Sequence, residues 1–195
     1  MLAVSLCTAM KKPAAEPENP QEDEKNGTEL VVQKEETTQI RYISFGTGEK
    51  TMVIVPGLST GYVTDSAQAV ADGFAAFTED YTVYLFDVRE EVPEGYTIEE
   101  MGNDLASVMI SLGLHDVYLY GCSMGGMESL YIAGTYPKLV KKLTVVSSAC
   151  EENAVLNETI GNWVKLAEEN KRTELTLDMG QKIYSEAVYE ANKEV

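Results

Sequence analysis

The chain has 195 residues, of which 44% are hydrophobic, and it carries a formal net charge of −17. This length and apolar content are sufficient to bury one core, which favours a single globular domain. The charge arises from 32 acidic against 15 basic side chains. Phosphate groups would be repelled by such a surface, so the composition argues against nucleic acid and anionic membrane surfaces as partners.

The three cysteines, Cys7, Cys122 and Cys150, do not have the spacing of metal ligands. We expect Cys122 and Cys150 to be buried free thiols, because buried thiols are the usual state of unpaired cysteine. The glycines of Gly46-Thr47-Gly48 are too weak a pattern to indicate a nucleotide-binding loop. The sequence therefore predicts neither a metal nor a cofactor.

Residues 1–29 differ in composition from the rest of the chain. A short apolar stretch at residues 2–10 is followed by Lys11 and Lys12 and then by an acidic, proline-rich stretch at 13–29. The apolar stretch is too short to span a bilayer. It resembles the remnant of a secretory signal and the rest a lipoprotein tether, which predicts an exported or lipoprotein-like bacterial surface protein tethered only through its N-terminus. The alternative is a disordered tail on a cytoplasmic protein.

Strand and helix patterns alternate from residue 30 onward. The predicted strands are residues 30–32, 40–45, 51–55, 81–86, 117–120 and 143–146. One helix is predicted from the apolar spacing at 67–77, and another begins at a capping box of Thr97 and Glu100 and stops at Gly113. This alternation predicts the α/β class, with a mostly parallel sheet and helices on both faces.

Two amphipathic patterns follow residue 150, at residues 160–167 and 179–191. We therefore divide the chain into an amino-terminal segment at 1–29, an α/β core at 30–150 and a helical region at 151–195. The oligomeric state is not indicated by any pattern in the sequence.

The central motif lies at residues 117–126, which read Val-Tyr-Leu-Tyr-Gly-Cys-Ser-Met-Gly-Gly. Residues with strong strand preference run directly into a Gly-x-Ser-x-Gly turn, and a helical pattern follows at once. A side chain on such a turn is forced outward at the carboxyl edge of the sheet, which singles out Ser123 as a nucleophile. The alternative is a glycine-rich strand-to-helix turn in another doubly wound sheet.

In this context the chain resembles the α/β-hydrolase family from about residue 30 to about residue 148. The matching segments are residues 121–126, the strand-ending 56–58, the segment 87–89 and the helix-to-strand connection at 136–140. The sequence departs from the family pattern in lacking a histidine before Gly57 and a glycine after Arg89.

The resemblance implies a serine hydrolase that acts on an ester, amide or related acyl bond of a small-molecule substrate. Ser123 would attack the carbonyl carbon, and the backbone N–H groups of Leu58 and Met124 would form the oxyanion hole. The two carboxyl-terminal helical patterns resemble the lid helices of the family, and they would shape the substrate pocket.

The general base that a serine nucleophile requires is not apparent in this sequence. The single histidine, His115, precedes the predicted strand of Ser123 and is expected to be a solvated turn residue at the opposite edge of the sheet. Asp87, Glu151 and Glu152 are expected to be solvated or capping carboxylates. We therefore predict that the chain is a fragment, truncated after the lid helices and inactive as it stands. The alternative is an inactive hydrolase-like binding or interaction domain.

Overall fold

A computed structural model describes residues 30–34, 39–59 and 61–192 of the chain. The predicted apolar segment and tether at 1–29 lie outside these residues, as does Cys7. The strands are β1 (Val31–Lys34), β2 (Arg41–Phe45), β3 (Lys50–Val55), β4 (Tyr81–Phe86), β5 (Val117–Cys122) and β6 (Val140–Val146). The helices of the described residues are α1 (Ala67–Gly73), α2 (Ile98–Ser111), α3 (Met124–Thr135), α4 (Ala154–Glu168), α5 (Arg172–Ile183) and α6 (Glu186–Asn192).

The six strands form one sheet in the order β1-β2-β4-β3-β5-β6. Strands β3, β4, β5 and β6 are parallel, and β1 and β2 run antiparallel at one side. The predicted mostly parallel sheet is confirmed. Since parallel strands end at the same edge, the segments that follow Val55, Phe86, Cys122 and Val146 meet there.

Helices cover both faces of the sheet, as the continuous apolar pattern of β3 predicts. Val53 and Val55 belong to a buried cluster that includes residues of α2 and α3. Met52 and Ile54 belong to a second cluster, against which residues of α1 pack. Successive residues of a strand point to opposite faces, so β3 is buried from both sides and the α/β class is confirmed.

The predicted capping box at the start of α2 is present. The Glu100 N–H donates to Thr97 Oγ1 at 3.2 Å, and the Thr97 N–H donates to the Glu100 carboxylate at 2.7 Å. Gly113 has a φ of +70° just beyond the helix, a conformation that glycine adopts at little cost. The sequence thus predicts both ends of this helix.

The predicted boundaries of α1 and β6 are wrong. The helix predicted over residues 67–77 ends at Gly73, and a separate 3-10 turn follows at Ala75–Phe77, because glycine is a poor residue for continuing a helix. Strand β6 begins at Val140 instead of residue 143. Its first residues include Lys141 and Lys142, which an exposed edge strand accommodates and a central strand would not.

The three carboxyl-terminal helices form a separate layer. The pattern predicted over residues 179–191 is broken at Tyr184, whose backbone is extended (φ −102°, ψ 156°), and α5 and α6 lie on either side of it. Trp163, Val164 and Leu175 form a small buried cluster in this layer. The Trp163 indole N–H donates to the Asp178 carboxylate at 2.7 Å, which satisfies the buried ring nitrogen. The division of the chain at residue 150 stays a prediction.

The cysteines of the described residues are unpaired, as expected, but Cys122 is half-buried and Cys150 is exposed. The prediction of a buried thiol is wrong for Cys150, because this residue lies in the connection between β6 and α4. Among the helices of the described residues, none combines the length and the apolar character needed to cross a membrane.

Candidate functional site

Ser123 lies between the end of β5 and the start of α3, on a turn with unusual backbone geometry. Its φ of 53° and ψ of −122° belong to a region that residues other than glycine rarely occupy. The Ser123 N–H donates to the carbonyl oxygen of Val146 at 3.0 Å, and the Ser123 carbonyl accepts the Ser148 hydroxyl at 2.7 Å. Residues at the end of β6 therefore hold the turn on both sides, and the Ser123 residue itself is exposed.

The glycines around Ser123 permit close packing of β3, β5 and α3. A Cβ at Gly121 would lie 2.5 Å from the Gly125 carbonyl oxygen, and a Cβ at Gly126 would lie 2.5 Å from the Ser148 Cβ. A Cβ at Gly125 would overlap the backbone carbonyl groups that end β3. Side chains at these positions would push the helix away from the sheet, so the glycines are required by close approach.

The segment that leaves β3 passes directly beside Ser123. A Cβ at Gly57 would lie 3.0 Å from the Ser123 Cβ and 3.6 Å from the Ser123 Oγ. The neighbouring Leu58 packs against the cluster that contains buried Met124. Met124 is the first residue of α3, so its backbone N–H has no acceptor within the helix. The structure thus brings together Ser123, Leu58 and Met124, the three residues that the sequence singles out.

Asp87 follows β4 and is almost completely buried, with 8% of its surface exposed. Its carboxylate accepts the backbone N–H of Val63 at 2.8 Å, the N–H of Thr64 at 3.1 Å and the Thr64 hydroxyl at 2.6 Å. Burial raises the pKa of Asp87 above its usual range, and the hydrogen bonds from Thr64 and Val63 oppose that rise. Asp87 therefore caps a turn that lies 23 residues earlier in the chain, in agreement with a capping role.

Glu128 is a buried carboxyl group that the sequence analysis missed. It lies one turn after Met124 on α3 and has 5% of its surface exposed. Burial raises the pKa of Glu128 from 4.5 to about 8, so the group is mostly neutral at pH 7. The helical spacing of Met124 and Glu128 places them on the same face, and this was the one signal available in the sequence.

A cluster of three polar side chains, Arg89, Tyr96 and Asp104, lies near Glu128. The Tyr96 hydroxyl donates to the Asp104 carboxylate at 2.6 Å, and Arg89 Nη1 donates to the same carboxylate oxygen at 3.0 Å. Burial and the hydrogen bond to Asp104 raise the pKa of Tyr96 well above its usual range. Glu128, Arg89, Tyr96 and Asp87 line one small cavity. A second small cavity, beside Gly57 and Met124, shares Asp87 with the first.

The structure does not bring His115 to Ser123. His115 lies before the amino end of β5, whereas Ser123 follows the carboxyl end, and its side chain is 76% exposed with Nδ1 3.2 Å from Asp116 Oδ2. Glu151 and Glu152 are exposed in the connection to α4. Within the described parts of the chain, no cluster of three or more histidine, cysteine or acidic side chains could hold a metal ion.

Comparison with known proteins agrees with this arrangement of a parallel sheet and a Ser123 turn closely packed by glycines. A family model described as "alpha/beta hydrolase fold" matches residues 50–176, which is more than half of the chain. The chain belongs to the α/β-hydrolase fold family. The match includes β3, the segment after it and the Ser123 turn, and it extends into α5.

Two relatives illustrate the similarity in sequence. The protein named "Putative carbamate hydrolase RutD" from Cronobacter sakazakii is 29% identical over 116 residues, covering 56% of this chain and 40% of the relative. The protein of the same name from Serratia proteamaculans is 35% identical over 78 residues, covering 37% of this chain and 29% of the relative. The chain thus matches less than half the length of these curated relatives.

Solved structures show the same fold. Cfl2 from Burkholderia cenocepacia aligns with a TM-score of 0.62 and 14% identity, over 91% of this chain and 69% of that protein. A hydrolase from Pseudomonas aeruginosa aligns with a TM-score of 0.59 and 16% identity, over 85% of this chain and 65% of that protein. At these identities the likeness concerns the fold alone.

Proposed function

We propose that this chain carries the nucleophile of a serine hydrolase that acts on an ester, amide or related acyl bond of a small molecule. The observation that carries the proposal is the exposed Ser123, held at φ 53° beside the segment after β3. The relatives named as carbamate hydrolases support an acyl-type bond as the target.

In the proposed reaction the Ser123 Oγ forms a bond to the substrate carbonyl carbon while a base takes its proton. The negative charge that develops on the carbonyl oxygen would be stabilised by the N–H groups of Leu58 and Met124. Collapse of this intermediate expels the alcohol or amine, and water then hydrolyses the acyl-enzyme. The helices α4 and α5 would act as the lid, because their buried cluster contacts Leu58.

The proposal needs a general base other than His115, which lies at the opposite edge of the sheet. Without a base a serine hydroxyl is a weak nucleophile, so we expect the 195-residue chain to react slowly. A base supplied from solution should substitute for the missing group, because proton removal contributes about 10²–10⁴-fold to rate in such enzymes.

The test is covalent labelling of the 195-residue protein with a fluorophosphonate probe, with and without imidazole in the buffer. We expect labelling at Ser123, detected by mass spectrometry of the peptide, and acceleration of at least about tenfold by imidazole. Ser123→Ala should abolish it. Ser107→Ala, at an exposed serine of α2, is the matched control and should label like the wild type.

Absence of labelling at Ser123, even with imidazole, would contradict the serine hydrolase and favour the second candidate. That candidate is an inactive hydrolase-like binding domain. It is favoured because the single histidine, His115, and Ser123 lie at opposite ends of β5. A binding domain would keep the cavity lined by Gly57 and Met124 without using the hydroxyl.

A further inference from the structure

Asp87 holds the far end of the segment that runs past Ser123. We define this segment as the β3 loop, residues 56–59, 61 and 62. At its start, Gly57 lies against Ser123. At its end, the chain enters the 3-10 turn Val63–Ser66, whose first N–H groups are bound by the Asp87 carboxylate. The loop thus passes beside Ser123 at one end and is hydrogen-bonded at the other end to Asp87, which directly follows β4.

Three hydrogen bonds join the Asp87 carboxylate to the 3-10 turn. Three donors converge on one buried carboxylate, and hydrogen bonds to a charged acceptor are stronger than those between neutral groups. The Arg41 guanidinium lies 3.6 Å above the Tyr62 ring, and Arg41 pairs with Asp65 at 3.0 Å. These contacts hold Tyr62, just before the turn, and Asp65, within it, beside Arg41 at the start of β2.

The described residues of the β3 loop also make contacts between these two points. The Gly61 N–H donates to the Ser59 hydroxyl at 3.3 Å, a bond internal to the loop. Leu58 packs against the cluster of Met124 on one side and the cluster of Trp163 on the other. Asp87 and the β3 loop also line the same cavity as Met124. Release at Asp87 would therefore remove the hydrogen bonds that join the end of the β3 loop to the segment after β4.

We propose that Asp87 is a positioning residue, which fixes the β3 loop so that the Leu58 N–H faces the oxyanion formed at Ser123. The inference rests on the function proposed above. An oxyanion donor is effective only about 2.7–3.1 Å from the developing charge. A misplacement of about 1 Å can lower a rate by about 100-fold. Asp87 does not contact the reacting atoms, and it acts through the loop.

The first test measures fluorophosphonate labelling of Asp87→Asn in the presence of imidazole. We expect the maximal labelling rate to fall by about tenfold or more, with the half-saturating probe concentration changed less than about twofold. Such a split is expected because the oxyanion contact forms in the transition state and not on initial binding. Asp80→Asn is the matched control, since the Asp80 side chain is exposed just before β4 and its carboxylate forms a 3.4 Å surface pair with Lys50.

A second pair of variants covers the case in which Asp87→Asn fails to fold. Thr64→Val removes the hydroxyl that donates to Asp87 at 2.6 Å, and Thr64→Ser retains it. We expect Thr64→Val to lower the maximal labelling rate by about threefold to tenfold and Thr64→Ser to restore it. Melting temperatures of all variants are measured alongside, so that a general loss of structure is recognised.

The outcomes separate this inference from the proposed function. If wild-type Ser123 is labelled and a folded Asp87→Asn or Thr64→Val reacts at the wild-type rate, the positioning role is contradicted and the hydrolase proposal stands. A parallel change in half-saturation and maximal rate also contradicts it, because that pattern indicates a damaged pocket. If wild-type Ser123 is not labelled at all, the proposed function fails, and the positioning role fails with it.

Discussion

The sheet with α1–α3 and the layer of α4–α6 are stabilised differently. In the first region, residues such as Val53, Val117 and Ile132 are completely buried. In the second, only Trp163, Val164 and Leu175 are buried, while Val155 is 74% exposed and Ile183 59%. Apolar burial is the main stabilising contribution to folding. We therefore expect the sheet region to contribute most of the free energy of unfolding and to hold Ser123 rigidly.

The largest expected effect concerns Glu128, a buried carboxyl of the sheet region. Its pKa of about 8 lies above the ordinary value of 4.5, so folding favours the protonated form. The associated stability is complete below pH 4.5 and is lost as the pH rises through 8, at up to about 1.4 kcal/mol per pH unit. Urea unfolding of the wild type and Glu128→Gln between pH 5 and pH 8 tests this.

We expect the free energy of unfolding of Glu128→Gln to exceed that of the wild type increasingly as the pH rises. The control is Glu158→Gln, the same replacement on the exposed surface of α4. Curves for the wild type and Glu128→Gln that stay parallel over this pH range would show that Glu128 is ionised in the folded protein.

The next largest effect on the free energy of unfolding is expected when one leucine in each region is replaced by alanine. Leu119 in β5 is 1% exposed, and Leu119→Ala should lower the free energy of unfolding by about 3 kcal/mol through lost burial and a cavity. Leu177 in α5 is 39% exposed, and Leu177→Ala should cost less than about 0.5 kcal/mol. Urea unfolding followed by circular dichroism measures both. Equal losses would mean that the two regions are equally important to stability.

The smallest expected effect on stability concerns two glycines of α3. A side chain at Gly125 would meet the carbonyl groups of Val55 and Pro56, so Gly125→Ala should destabilise the protein by about 2 kcal/mol. Gly134 lies in the same helix with open space around it, and Gly134→Ala should raise stability by up to about 1 kcal/mol. Thermal unfolding of the two variants distinguishes them. A Gly125→Ala variant as stable as the wild type, or more stable, would contradict the close contact at Gly125.

The features that the sequence predicts are those encoded by neighbouring residues. The Gly-x-Ser-x-Gly turn, the Thr97 and Glu100 capping box and the continuous apolar β3 each follow from a few consecutive side chains. The meeting of Leu58 with Met124 could also be predicted, because parallel strands place their carboxyl ends at one edge.

The features that the sequence analysis missed depend on contacts between distant residues. Asp87 accepts hydrogen bonds from Val63 and Thr64, which lie 24 and 23 positions earlier in the chain. The sequence around Asp87 does not indicate these partners. The burial of Glu128 depends on what packs over α3, which a helical pattern alone does not determine. Tyr184 interrupts an apolar spacing that would fit a single helix, so the break there could not be seen from periodicity.

The backbone of Ser123 has an evolutionary consequence. A φ of 53° with a ψ of −122° costs a serine about 1–3 kcal/mol that a glycine would avoid. Selection for a sturdier fold alone would thus replace this hydroxyl. Ser123→Gly would raise thermal stability in a protein that made no use of the hydroxyl, so the serine at this position fits the proposed nucleophile.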